Sequence, residues 1–398
     1  MSYDFDEIVP RLGTDCVKWD GFAPGTIPMW VADMDFKAAP AILQALQKRL
    51  DHGVFGYERL PREYFDAITG WFSRRHGWSF SQECIIPTTG VIAAYSASIK
   101  AMTSPGDKVI LMTPVYNCFF PAVRNNRCVE TDCSLVYHEG KYSIDFEDLE
   151  RKASDPLAKV LLLCNPHNPV GRVWTREELL RIAGICHRNG VFVISDEIHC
   201  ELTSPGHGYT PYGTLPREYV LRSATCVSPT KPFNIAGIQI ANVVAADPEV
   251  RRRIDRALNE NECCDVNVFG PAALIAAYNR SEGWLDELRE YLWDNYQYTL
   301  DFLRDNIPGI TVPPLEGTYL MWLDCRFAAP GGIPQAGFSD SLSNYLKDSH
   351  GVVLTSGTVY GRDGEGFLRL NIACPRKTLT EGLRRLAKGI NLFINTHN

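Results

Sequence analysis

Between residues 83 and 245, short apolar runs alternate with helical stretches, and this alternation limits the fold more than any other feature. The runs are Cys84-Ile-Ile-Pro, Lys108-Val-Ile-Leu-Met, Arg127-Cys-Val-Glu, Lys159-Val-Leu-Leu-Leu-Cys, Val191-Phe-Val-Ile-Ser, Ala224-Thr-Cys-Val-Ser and Ala241-Asn-Val-Val-Ala. A strand that is apolar without alternation is buried on both faces, so the pattern predicts an α/β fold with a mainly parallel seven-stranded sheet covered by helices. Thr175-Arg-Glu-Glu178 is a capping box and opens a helix that ends near Asn189-Gly190.

Past residue 280 the pattern changes. Trp284, Leu285, Leu288, Tyr291, Leu292, Phe302 and Leu303 fall at helical spacing, and predict a long helix leading into a smaller α+β domain. Gly317-Thr-Tyr-Leu-Met-Trp-Leu-Asp and Gly366-Phe-Leu-Arg-Leu-Asn-Ile supply two strands there. The expected division is a large domain at 46–280 and a small one made of 1–45 with 281–398.

The 398 residues are 45% hydrophobic and 22% charged, the balance of a globular enzyme rather than a disordered chain. A net charge of −7 with scattered basic residues gives no nucleic-acid surface, and no apolar run is long enough for a membrane span. The first residues lack the basic start and apolar core of a secretory signal, and the cysteines number an odd thirteen. Reduced thiols and a cytoplasmic location are expected. No Cys-x-x-Cys or His-Glu-x-x-His pattern occurs, so no metal is expected.

Chemistry concentrates at the strand ends. Ser228-Pro-Thr-Lys231 follows one apolar run, and Asp196 ends the run thirty-five positions upstream. An amine and a carboxylate on neighbouring strands suit pyridoxal phosphate (PLP), which needs a Schiff-base lysine and an acid beside its pyridinium nitrogen. Taken alone, each residue also fits a solvated charge or a helix cap. Thr88-Thr-Gly90 opens a helix whose N-terminus suits a phosphate, and equally reads as a plain strand–helix turn. Asn165-Pro-His-Asn168-Pro-Val-Gly171 predicts a rigid, exposed turn that presents the Asn168 amide at a strand's carboxyl end, where α/β sheets bind ligands. His167 reads there as a turn residue. Tyr116 fits either a ring-stacking aromatic or a core residue. Arg369 sits amid apolar strand residues and requires a carboxylate, structural or from an amino-acid substrate.

Together these pieces resemble the fold-type I PLP enzymes of the aminotransferase class I/II superfamily. Within it, Met29-Trp-Val-Ala-Asp-Met-Asp-Phe36 and Asp196-Glu-Ile-His199 are similar to the MalY/PatB-type cystathionine β-lyase group of C–S lyases. The resemblance covers nearly the whole chain. It implies that Lys231 forms the Schiff base, Asp196 keeps the pyridinium protonated, Asn168 binds the ring hydroxyl oxygen and Tyr116 stacks on the ring. It assigns the phosphate to Gly90, Val91 and Ile92 with help from Ser228, the substrate carboxylate to Arg369, and the partner subunit's phosphate to Tyr57. That last role implies a homodimer with shared active sites. His199, also expected at the cofactor, stands where aminotransferases carry a tyrosine, and Gln239 where they carry a phosphate-binding arginine.

The implied reaction is β-elimination from cystathionine or another S-substituted L-cysteine, giving a thiol, pyruvate and ammonia. A PLP-dependent aminotransferase is the first alternative, because transamination shares the same α-proton removal. A regulatory protein that keeps PLP for structure is the second, and the intact Lys231, Asp196 and Arg369 set speaks against it.

Overall fold

The computed structural model describes residues 2–397. Seven strands form the main sheet: β1 (Ile85–Thr88), β2 (Lys108–Leu111), β3 (Val129–Asp132), β4 (Ala158–Cys164), β5 (Phe192–Asp196), β6 (Ser223–Val227) and β7 (Ala241–Val244). Their order is β1-β7-β6-β5-β4-β2-β3. Only β7 runs against its neighbours. These are the seven apolar runs of the sequence. Strands β5, β6 and β7 are buried throughout, as expected for strands covered on both faces.

The order matters because β4, β5 and β6 lie side by side. Cys164 pairs with Asp196, and Asp196 with Cys226. The segments that leave these three carboxyl ends therefore start from adjacent positions. Helix α1 (Val91–Met102) begins three residues beyond β1, and α2 (Arg176–Arg188) carries the complete Thr175–Glu178 capping box.

Helix α3 (Glu282–Asn306) is the long helix expected from its periodicity. It buries Trp284, Leu285, Leu288, Tyr291, Leu292 and Leu303 and leaves Phe302 half-buried. Each full burial is worth about 1.5–3 kcal/mol, which holds the helix in place more firmly than propensity does. Beyond it, β8 (Leu320–Asp324), β9 (Thr355–Ser356) and β10 (Phe367–Asn371) form an antiparallel sheet with β10 in the middle. Ile27–Pro28 pairs in parallel with Val352–Val353. Two features were not anticipated: the two-residue β9 and the hairpin of Val136–His138 with Lys141–Ser143. Both are too short for a periodicity to register.

The turn at Asn165–Gly171, expected to be exposed, is buried. The C-terminal chain covers it: Gly171 O accepts from the N–H groups of Glu316 and Gly317 at 2.9 and 3.0 Å. His167 bonds Pro114 O through Nε2 at 2.9 Å, which ties this turn to the one after β2.

Candidate active site

A cavity of about 350 Å³ opens at the carboxyl ends of the central strands. Lys231, Asp196, Asn168, Tyr116, His199, Gly90, Val91 and Ile92 line it, with Ala32, Thr230 and Gln239. Eight of the sequence-predicted residues thus come together from five separate segments, whereas Arg369, Ser228 and Tyr57 are not part of its lining.

At one end, α1 starts without a side-chain cap, so its first N–H groups stay open to a ligand. A Cβ built on Gly90 would meet nothing within 4 Å, so the helix start borders open space. This is the geometry of an anion cradle. Ser228 is turned away from it: its hydroxyl donates to Ile240 O at 2.7 Å and accepts from Thr230 N–H at 3.1 Å. Thr230, two residues on, reaches the cavity wall instead.

Asp196 is buried and accepts one bond, from Ile198 N–H at 3.2 Å. Burial drives its carboxyl up to about 7. Such a group gains most from a cationic partner, and a protonated ring nitrogen would supply one. Lys231 donates to Ala32 O at 2.5 Å. Burial, then the charge of Arg369, brings its amine down to about 8, so far more of it is neutral near physiological pH than of an ordinary lysine. His199 is buried against Tyr319 with an unpartnered Nδ1, and burial holds its imidazole neutral, near 3.

Arg369 is 5% exposed. Its Nη1 donates to Asn168 Oδ1 at 3.1 Å, its Nη2 to Trp30 O at 2.7 Å, and its Cζ lies 4.9 Å from the Tyr360 ring centre. Its Nε has no partner. Among the described residues no carboxylate forms an ion pair with it, so the guanidinium charge is left for a ligand. Tyr57 lies outside the cavity, its ring fully exposed.

These residues fit PLP. The cradle suits a phosphate, Asp196 a pyridinium, Tyr116 a ring face, Lys231 an aldehyde carbon and the Asn168 amide a ring oxygen. Elsewhere, His76, Cys200 and Glu201 bring ligand-type atoms within 4.8 Å of one another. Glu201 already accepts from Trp71 Nε1 at 2.6 Å, pairs with Arg75 at 3.0 Å and meets His76 Nε2 at 2.6 Å, a closed internal ion pair.

Residues 27–386 match the family model described as aminotransferase class I and II. The chain belongs to this family. Among its relatives, cystathionine beta-lyase PatB of Bacillus subtilis is 41% identical, over 98% of this chain and 100% of that protein. Protein MalY of Escherichia coli is 35% identical, over 98% of this chain and 99% of that protein. The crystal structure of cystalysin from Treponema denticola, which contains a pyridoxal 5'-phosphate cofactor, superposes with a TM-score of 0.93 at 33% identity. It covers 98% of this chain and 99% of that one.

In this family member the sequence reading missed the backbone of residues 30–33. Ala32 and Trp30 place carbonyl oxygens on Lys231 and Arg369. A carbonyl carries no residue signature, so only the lyase-type string around it could have drawn attention there.

Proposed function

We propose that this protein is a PLP-dependent carbon–sulfur β-lyase that cleaves cystathionine or related S-substituted L-cysteines to a thiol, pyruvate and ammonia. One observation carries the reading: a tuned lysine and a buried acid line a single cavity, and an arginine without a protein carboxylate is hydrogen-bonded to Asn168 in its wall. Whole-length relatives named as lyases support elimination over transamination.

Bound PLP supplies an electron sink for the charge left when the substrate's Cα proton departs. The chain supplies the rest. Arg369 takes the substrate carboxylate, and so fixes the Cα–H bond toward Lys231. The Lys231 amine removes that proton. Asp196, ionised beside a ring nitrogen, keeps that nitrogen protonated. The N–H groups at Gly90, Val91 and Ile92 hold the phosphate, with Thr230, which lines the cavity and is bonded to Ser228 through the two hydroxyls at 2.7 Å, placed to assist. Asn168 presents its amide to the ring hydroxyl oxygen while its Oδ1 steadies Arg369. His199 borders the same ring, with an imidazole that stays neutral.

Residues 46–280 form the cofactor-holding unit in this reading, and 1–45 with 281–398 the second. A homodimer in the cytoplasm is inferred with it: Tyr57, fully exposed in the single chain, reaches the partner's phosphate. Among the described residues no helix is long and apolar enough to cross a membrane.

A pyruvate assay with L-cystathionine and no keto acid tests the reaction. Homocysteine and pyruvate released in equal amounts over many turnovers would support elimination. Turnover that begins only when a keto acid is added would replace it with transamination.

A further inference from the structure

The string Trp30-Val-Ala-Asp-Met-Asp-Phe36 runs past the cavity as an irregular strap that bends at Val31–Ala32 and again at Asp35–Phe36. Trp30 O accepts from Arg369 at 2.7 Å and Ala32 O from Lys231 at 2.5 Å. The intervening carbonyls, of Val31 and Asp33, both accept from the Asn371 amide at 2.6 Å. Tyr319 also donates to Ala32 O, at 3.0 Å. Of four successive carbonyls, two are therefore tied to the side chains assigned to the substrate carboxylate and the α-proton, and the other two to Asn371.

The strap is held from behind by a neutral quartet of charges. Lys18, with a side chain only 1% exposed, pairs with Asp35 at 2.9 Å and with Asp33 at 3.4 Å. Arg11 pairs with Asp33 at 2.7 Å and with Asp35 at 2.6 Å, and the Trp19 indole donates to Asp35 at 2.9 Å. Burying an ammonium gains little stability over an apolar residue, because its desolvation offsets the attraction. What two bridged carboxylates on alternate strap residues do supply is a fixed backbone position.

We propose that Arg11, Lys18, Asp33 and Asp35 are positioning residues: they fix the strap so that the Trp30 and Ala32 carbonyls aim Arg369 and Lys231, and so set the affinity for the substrate carboxylate. This rests on the reading of Arg369 as the carboxylate clamp. A displaced strap takes away the Trp30 bond and leaves the guanidinium held by Asn168 and the Tyr360 ring alone, which misplaces the carboxylate without removing any group that reacts.

The test uses the PLP-loaded protein and 3-(methylthio)propionate, a carboxylate without an amine that binds but cannot react. Calorimetry gives its Kd for wild type, Asp33→Asn, Lys18→Met, Lys18→Arg and Arg369→Ala. Asp33→Asn and Lys18→Met are expected to weaken binding about tenfold. KM for S-methyl-L-cysteine should rise in parallel, and kcat should fall as well, because a misplaced carboxylate turns the Cα–H bond away from Lys231. Lys18→Arg, which keeps the charge, should restore tight binding. A purely structural role would lower Tm and cofactor content yet leave the Kd of the folded protein unchanged. Wild-type Kd in folded Asp33→Asn and Lys18→Met, with Arg369→Ala weakened, overturns the strap and leaves the proposed function standing. Wild-type Kd in Arg369→Ala removes the carboxylate clamp, and the strap's role with it.

Discussion

Arg369 and Asn168 meet through one hydrogen bond, Nη1 to Oδ1 at 3.1 Å, although 201 positions separate them in the chain. The residue assigned to the substrate carboxylate is thereby braced by the residue assigned to the cofactor's ring oxygen. Substrate and ring are held in one frame, as a stereoelectronically controlled proton removal requires.

Replacing Arg369 with alanine should raise KM for S-substituted cysteines about a hundredfold, because a buried charged contact is lost on binding. Cofactor content, read from the visible absorbance, should stay near wild type. An unchanged KM would leave Arg369 as a structural residue.

The Lys231 amine, brought down to about 8, sets a pH dependence for cofactor loading. Only the neutral amine attacks an aldehyde, so covalent loading of cofactor-free protein should accelerate as pH rises through about 8. Arg369 contributes to the lowering, so Arg369→Ala should move the midpoint to higher pH. Stopped-flow absorbance measures both.

Asp196→Asn should reduce turnover about a thousandfold, since an amide cannot hold a ring nitrogen protonated. It also makes a stability prediction for the cofactor-free protein. The folded carboxyl keeps its proton up to about 7, above its ordinary value of 3.8. Across that window the folded state binds a proton the unfolded state has lost, so this contribution is present at low pH and disappears as pH rises through about 7. Urea midpoints should therefore show wild type losing ground to Asp196→Asn between about pH 4 and pH 7, with no further loss above that.

Tyr57 provides a test of shared sites. Tyr57→Ala and Lys231→Ala proteins should each be poorly active at limiting PLP. If Tyr57 serves the partner's site, subunits exchanged between the two form hybrids with one intact site, and activity returns. No recovery after exchange would place Tyr57 outside the neighbouring site.

Much of this was legible in the sequence. Seven continuous apolar runs became the seven strands of the sheet, because strands buried on both faces leave an unmistakable composition. The strand ends then led to Lys231, Asp196, Asn168 and the Gly90 turn. What was not legible depends on long-range covering. The Asn165–Gly171 turn looks polar and exposed until the chain at Glu316 and Gly317 lies over it. Ser228 and Thr230 are both small hydroxyl residues, and only the backbone's direction decides which faces the cavity. The strap's carbonyls belong to the main chain and have no signature at all.

The claim that Lys231 anchors the cofactor in this cavity can be tested in one measurement. The PLP-loaded protein is reduced with borohydride, digested, and the phosphopyridoxyl peptide is located by mass spectrometry. The account predicts a single modified residue, Lys231, within the peptide that contains Ser228-Pro-Thr-Lys231. Modification at another lysine, or none at full cofactor occupancy, would contradict it.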